Sequence, residues 1–183
     1  MRHSAALLVL ALPLAACAGE RGFHVASATL HDGDTLPLAQ VYQGGGCDGG
    51  NRSPALAWSG SPDGTRSYAV TMFDPDAPTG HGWWHWVAYD LPARTTSLPE
   101  GAGHANGAAL PDGTRQARND FGNIGYGGAC PPAGDKPHRY IITVYALPAV
   151  RLAVPASASA TQVNATLKRD SLASSRLTLE YGR

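Results

Sequence analysis

The 183-residue chain has little charge, few cysteines and no long apolar run, and each shortage removes a class of protein. Only 15% of its residues are charged, with 14 Lys and Arg against 14 Asp and Glu. Taking away residues 1–16 removes Arg2 and leaves 13 basic side chains against 14 acidic ones, so no basic face is offered to a nucleic acid. No GxSxG elbow and no HExxH motif occurs. The chain is therefore read as a non-enzyme, with a hydrolase as the lesser alternative because Asp and His are general acid–base residues. No cofactor is implied. His81 and His85 are four apart, but in a Gly-rich loop entering a strand that spacing does not bring two imidazoles together, so no metal site is expected.

The apolar run that does exist, Ala5 to Ala16, falls short of the roughly 20 residues a helix needs to cross a bilayer. With Arg2 and His3 before it and small residues after it, the run has the layout of a signal peptide over residues 1–16. Leu14-Ala15-Ala16-Cys17 resembles the lipobox of bacterial lipoproteins, in which the Cys becomes the lipidated first residue of the mature chain. Acyl chains contribute about 0.8 kcal/mol per buried methylene, so Cys17 and a tether to residue 22 would hold a soluble domain on a membrane. Ala18 stands where a retention signal for the inner membrane would place Asp, and by analogy this favours the outer membrane. The expectation is thus an exported protein, periplasmic or at the surface, with one domain over residues 23–183.

Glycine (22) and proline (14) fall mostly between short runs rich in β-branched and aromatic residues. Strands are expected at Phe23–Leu30, Ser67–Asp74, Trp84–Leu91, Arg139–Ala146 and Arg176–Tyr181. Pro62-Asp63-Gly64 should turn the chain between neighbouring strands, and Asp112-Gly113 is a second turn signal. One helix is expected after Pro155, capped by Ser157 or Ser159, with Ala160, Val163 and Leu167 on one face. The fold class is mainly β: a sandwich of two packed antiparallel sheets with a peripheral C-terminal helix. Cys47 and Cys130 lie in Gly-rich loops, GGGCDGG and YGGACPP. In an exported protein they could form a disulfide, the alternative being two buried thiols.

Three polar clusters stand at strand ends: Asp74-Pro75-Asp76-Ala77-Pro78, Trp83-Trp84-His85-Trp86, and Cys130-Pro131-Pro132 leading to His138-Arg139-Tyr140. Together with GCDGGNRSPALAW (46–58), GWWHWVAYDLPA (82–93) and NDFGNIGYGGACPPAGDKPHRY (119–140), they resemble the phosphatidylethanolamine-binding protein family, and within it the bacterial Raf kinase inhibitor-like branch. The resemblance spans residues 23–183. It implies a large antiparallel sheet packed on a smaller one, and a cavity for phosphate, acetate or a phospholipid headgroup lined by Asp74, Asp76, His85, Pro131, His138 and Tyr140. It also implies a cis-proline in the DPDAP loop.

An anion beside two carboxylates needs compensation. Protonated His85 and His138 are expected to supply it, together with backbone N–H groups of Gly125-Tyr126-Gly127-Gly128 forming an anion-binding concavity. Blander roles stand beside these. Asp74 and Asp76 could cap a turn. Trp83, Trp84 and Trp86 should pack rather than cage a ligand, and alternation puts Trp84 and Trp86 on the face opposite His85. Lys168-Arg169-Asp170 stands where related bacterial chains tend to carry histidine, which suggests an altered rim, and Tyr181 is a possible rim residue. The leading reading is a small-anion binder whose partners are the ligand or a phospholipid headgroup and the membrane through its anchor. The alternative is an inhibitor or interaction partner of an extracytoplasmic protease or other protein.

Overall fold

The computed structural model describes residues 22–183. The expected signal peptide, Cys17 and the tether up to residue 21 lie outside the described residues. In chain order the elements are β1 (His24–Ala26), β2 (Gln43–Gly44), β3 (Cys47–Asp48), β4 (Leu56–Ser59), β5 (Ser67–Asp74), β6 (Trp83–Pro92), β7 (Ser97–Leu98), β8 (Arg115–Gln116), β9 (His138–Leu147), α1 (Ala160–Asp170) and β10 (Ala173–Tyr181). β5, β6 and β9 are near-continuous runs of β-branched, aromatic and small residues, and they are buried on both faces, as such runs require. They form the centre of a five-stranded antiparallel sheet ordered β10-β9-β5-β6-β8. A second antiparallel sheet, β1-β4-β7, packs on one face of it, and β2 and β3 make a short hairpin.

Between the two sheets Val25, Leu56 and Trp58 meet Val70, Met72, Trp86, Ile142 and Val144. The other face of the large sheet carries α1, whose Val163 and Leu167 are fully buried with Ala69, Val87, Tyr89 and Leu147. Burying each such side chain stabilises by roughly 1.5–3 kcal/mol. Of the two candidate caps Ser159 is the one used: its Oγ accepts from Gln162 N, and Gln162 Oε1 accepts from Ser159 N. The Pro62–Gly64 turn does form, with Thr65 N donating to Pro62 O, but β4 and β5 belong to different sheets, so it carries the chain between layers rather than between paired strands. β1 is shorter than expected, three residues of the eight in Phe23–Leu30.

Strict alternation fails in β6 at two bulges. Met72 pairs with Trp86 and Phe73 with Trp84, so His85 is an extra residue; likewise Tyr68 pairs with Leu91 and Ala69 with Tyr89, leaving Asp90 as the second. A bulge re-aims the side chain it carries. As a result Trp84 and Trp86 do not share a face. Trp84 packs on Phe73 in the helix-side cluster, whereas Trp86 sits in the inter-sheet core against Tyr126. Asp90 takes φ 64°, and its buried carboxylate accepts from Arg115 Nε (2.6 Å) and Leu152 N (2.8 Å), which holds the left-handed residue in place.

No cis peptide bond occurs among the described residues, against the expectation for the DPDAP loop. The turn is closed by Asp74 Oδ1, which accepts from the N–H groups of both Asp76 (2.8 Å) and Ala77 (3.0 Å). Cys47 and Cys130 are bonded, with their Cα atoms 6.0 Å apart, tying β3 to the loop that precedes β9.

Candidate functional site

The ends of β5, β6 and β9 and the loops that follow or precede them enclose a cavity of about 170 Å3. Its walls are mostly apolar, from Ala77, Pro78, Trp83, Phe121, Pro131 and Pro132, with a few polar groups converging from the strand ends. Asp74, His85, Pro131, His138 and Tyr140, five of the six residues named from sequence, line it. Asp76 does not. Its carboxylate faces outward and is clamped by Arg139, whose Nε, Nη2 and backbone N donate at 2.8, 2.7 and 2.9 Å. Those charge-assisted bonds push the Asp76 carboxyl down to about 2. A larger concavity of about 760 Å3 on that outer side shares His138, but it is built from exposed charged groups and contains no unpartnered buried atom.

Asp74 does two things at once. Oδ1 closes the turn, and Oδ2 lies 2.8 Å from His138 Nδ1, with both side chains 4% exposed. His138 Nε2 lies 3.6 Å from Asp135 Oδ2, so the imidazole stands between two carboxylates. Tyr181 pairs directly across from His138 in β10 yet does not line the cavity.

His85, re-aimed by its bulge, sits edge-on to Tyr140 (5.1 Å between ring centres) and Phe121 (5.4 Å). Its Nδ1 lies 2.8 Å from Gly127 O and 3.1 Å from Gly128 O. Carbonyl oxygens only accept, so Nδ1 carries the hydrogen and Nε2 of the neutral ring is a lone-pair acceptor. Burial pushes the His85 pKa down, outweighing the bonds to Gly127 and the charge of Asp74. The protonated His85 expected to offset the carboxylates is opposed by desolvation, which favours the neutral ring.

The expected anion-binding concavity of the Gly-rich loop is also corrected. Tyr126 N donates to Gly103 O, Gly127 N to His85 O and Gly128 N to Asn51 Oδ1, so these donors are spent inside the fold. The loop acts through its carbonyls, which fix the His85 tautomer. Side chains are excluded there, since a Cβ on Gly128 would lie 2.4 Å from backbone of Gln40 and Tyr42.

Among the described residues, three buried polar atoms of cavity-lining residues have no partner: His85 Nε2, Trp83 Nε1 and Tyr140 Oη. Burial drives the Tyr140 pKa far above its ordinary value, with the Asp74 charge adding to the effect, so the phenol remains a donor. Trp83, expected only to pack, is therefore part of the site, where it meets Phe121 edge-on. Sequence reasoning missed Phe121, although it lies inside the NDFG stretch that carried the resemblance. It also missed Arg183, whose Nε and Nη1 donate to Pro131 O (2.7 Å) and Gly46 O (2.8 Å) and pin the proline wall. Lys168, expected near the rim, lies outside the cavity on the helix-bearing face of the large sheet.

Residues 26–182 match the family model described as phosphatidylethanolamine-binding protein. The chain is 48% identical over 159 residues to UPF0098 protein YbcL of Escherichia coli K12, covering 87% of each. It is 52% identical over 155 residues to UPF0098 protein YbhB of the same organism, covering 85% of this chain and 97% of that one. The crystal structure of YbcL, described as a new member of the mammalian PEBP family, superposes with a TM-score of 0.85 over 88% of this chain and 98% of that one. A Mycobacterium tuberculosis protein named provisionally as lipoprotein LppC is 33% identical over 153 residues, covering 84% of this chain and 69% of its own length.

Proposed function

This chain belongs to the phosphatidylethanolamine-binding protein family, and on that premise we propose that it is a binding protein for a small phosphate-bearing group, a free phosphate ester or a phospholipid headgroup. The observation that carries the reading is the convergence of three unpartnered buried atoms, His85 Nε2, Trp83 Nε1 and Tyr140 Oη, on residues lining one cavity. An unsatisfied buried polar atom costs about 1–3 kcal/mol, and a ligand that meets all three recovers that cost. Two of these atoms donate and one accepts. A singly protonated phosphate monoester matches the whole set, with oxygens facing the Tyr140 hydroxyl and Trp83 N–H and its P–OH donating to His85 Nε2; a phospholipid headgroup is a diester without a P–OH, and there the ethanolamine ammonium would supply that donor. The cavity volume of about 170 Å3 suits a headgroup and not a whole lipid.

The protein works outside the cytoplasm, held by lipid on Cys17, in the outer membrane by the identity of Ala18. The lipobox Leu14–Cys17 supports this, as does the name of the mycobacterial relative.

Thermal unfolding with phosphoethanolamine is the test. At a concentration a hundred times Kd, binding adds about 2.7 kcal/mol, a rise of roughly 5–10 °C for a domain of this size. The rise should disappear in His85→Ala and shrink in Tyr140→Phe. No shift with any phosphate ester at millimolar concentration, or a shift undiminished in both variants, would remove the reading.

A further inference from the structure

α1 covers only part of the outer face of the large sheet. Beside it a groove of about 240 Å3 opens between Asn164 and Lys168 of the helix and the strands beneath. Cross-strand register builds the floor. Thr71 of β5 pairs with Thr143 of β9, which pairs with Arg176 of β10, giving one polar row; Phe73 and Ile141 form the next row, apolar, with Trp84 packed 4.4 Å from Phe73. The closed end is Tyr145, whose hydroxyl donates to buried Asn164 Oδ1 at 3.0 Å.

The rim is cationic and uncompensated. Lys168 and Arg176 are both exposed, and neither makes an ion pair or a side-chain hydrogen bond among the described residues. No Asp or Glu lines the groove, and Asp170 on the same helix is taken by Arg169 at 2.7 and 2.9 Å. An apolar floor and two cations at the mouth suit an occupant that is apolar at one end and anionic at the other. The Arg fork fits a carboxylate with two parallel bonds. The volume, below the roughly 300 Å3 at which drug-sized pockets begin, limits it to one or two rings.

We propose that this groove is a second ligand site, for a small aryl carboxylate, distinct from the phosphate cavity. The two share no lining residue and lie on opposite faces of the large sheet. The Lys168-Arg169-Asp170 segment, which had suggested an altered cavity rim, is the helix end that frames this groove.

Amide chemical-shift mapping of the 15N-labelled protein with 2-naphthoate tests it. Saturable shifts are expected at Thr143, Lys168 and Arg176, unchanged by saturating phosphoethanolamine. The neutral 2-naphthamide should bind about five- to tenfold more weakly, and so should 2-naphthoate to Lys168→Gln/Arg176→Gln, since each exposed charge contributes a few-fold. Both positions are exposed, and the amide and competition arms need no variant. Equal binding of acid and amide, displacement by phosphoethanolamine, or no localised shifts at millimolar 2-naphthoate would each overturn the proposal.

Discussion

Titrating phosphoethanolamine into the protein at pH 8 and again at pH 6 isolates how the cavity handles charge. Gly127 O and Gly128 O hold the hydrogen of His85 on Nδ1, so the lone pair of the neutral ring is on Nε2, which has no partner among the described residues. A phosphate monoester loses its second proton at a pKa of roughly 6. At pH 8 both partners are therefore unprotonated where they meet, and forming the bond requires one proton from solvent. Affinity should weaken close to tenfold per unit above about pH 7, and about fiftyfold, or about 2.3 kcal/mol, between pH 6 and 8. Isothermal calorimetry at pH 8 in two buffers of different ionisation enthalpy counts the proton directly, and the expected uptake is close to one. Aminoethyl sulfate, whose sulfate carries no proton anywhere in this range, lacks the P–OH donor to His85 Nε2 and should be the poorer ligand at pH 7. Zero uptake at pH 8, or affinity rising with pH, would refute the assigned tautomer and with it the account of the site.

Other perturbations test the frame around the cavity. Because burial lowers the folded-state pKa of His85 below its ordinary 6.5, the neutral ring's contribution is complete above that value and is lost as pH falls below it; the unliganded protein should lose melting temperature from pH 7 to 5, less so in His85→Gln. Reducing the Cys47–Cys130 bond, which spans 83 residues of sequence, should lower stability by up to about 4 kcal/mol in denaturant titrations and, since Cys130 lines the cavity, weaken phosphoethanolamine binding as well. Asp90→Ala leaves Arg115 and Leu152 N without their acceptor and puts Ala at φ 64°, so a loss of about 3–5 kcal/mol is expected, whereas Asp90→Asn, which tolerates that backbone, should lose less; equal losses would show that the bulge itself does not matter.

The long elements were legible because they are long. Ser67–Asp74 is the strand as read, Trp84–Leu91 and Arg139–Ala146 each gain one residue at both ends, and the helix face Ala160, Val163, Leu167 is buried as its spacing required. β4 and β7 escaped notice because four residues and two are too few to show a period, although they build the smaller sheet. A period-2 reading also cannot contain a bulge. It placed Trp84 with Trp86 and so missed that His85 is the inserted residue, the one fact that brings its ring beside Tyr140. Motif resemblance named five of the twelve residues that line the cavity, but not how its hydrogen bonds are spent, because that depends on groups distant in sequence such as Asn51, Gly103 and Arg183.

That spending changes the electrostatic problem the sequence posed. Two aspartates and two histidines at the mouth of an anion pocket look like opposed charges waiting to be balanced by protonation. In the structure each aspartate already has its own compensation. Asp76 is held by the Arg139 fork outside the cavity, and Asp74 is saturated by two backbone N–H groups and the His138 ring. Neither needs the ligand, and His85, neutral by burial, offers the ligand no charge. On the proposed function, what is left for a phosphate is a hydroxyl, an indole N–H and one acceptor, each without a partner among the described residues and set in an apolar enclosure. Donors that are already in place lose little entropy on binding and gain from the low dielectric around them. Such a site discriminates by proton count more than by charge. It should prefer the monoanion of a phosphate monoester to the dianion of the same ester, a selectivity that a cluster of lysines or arginines would not give.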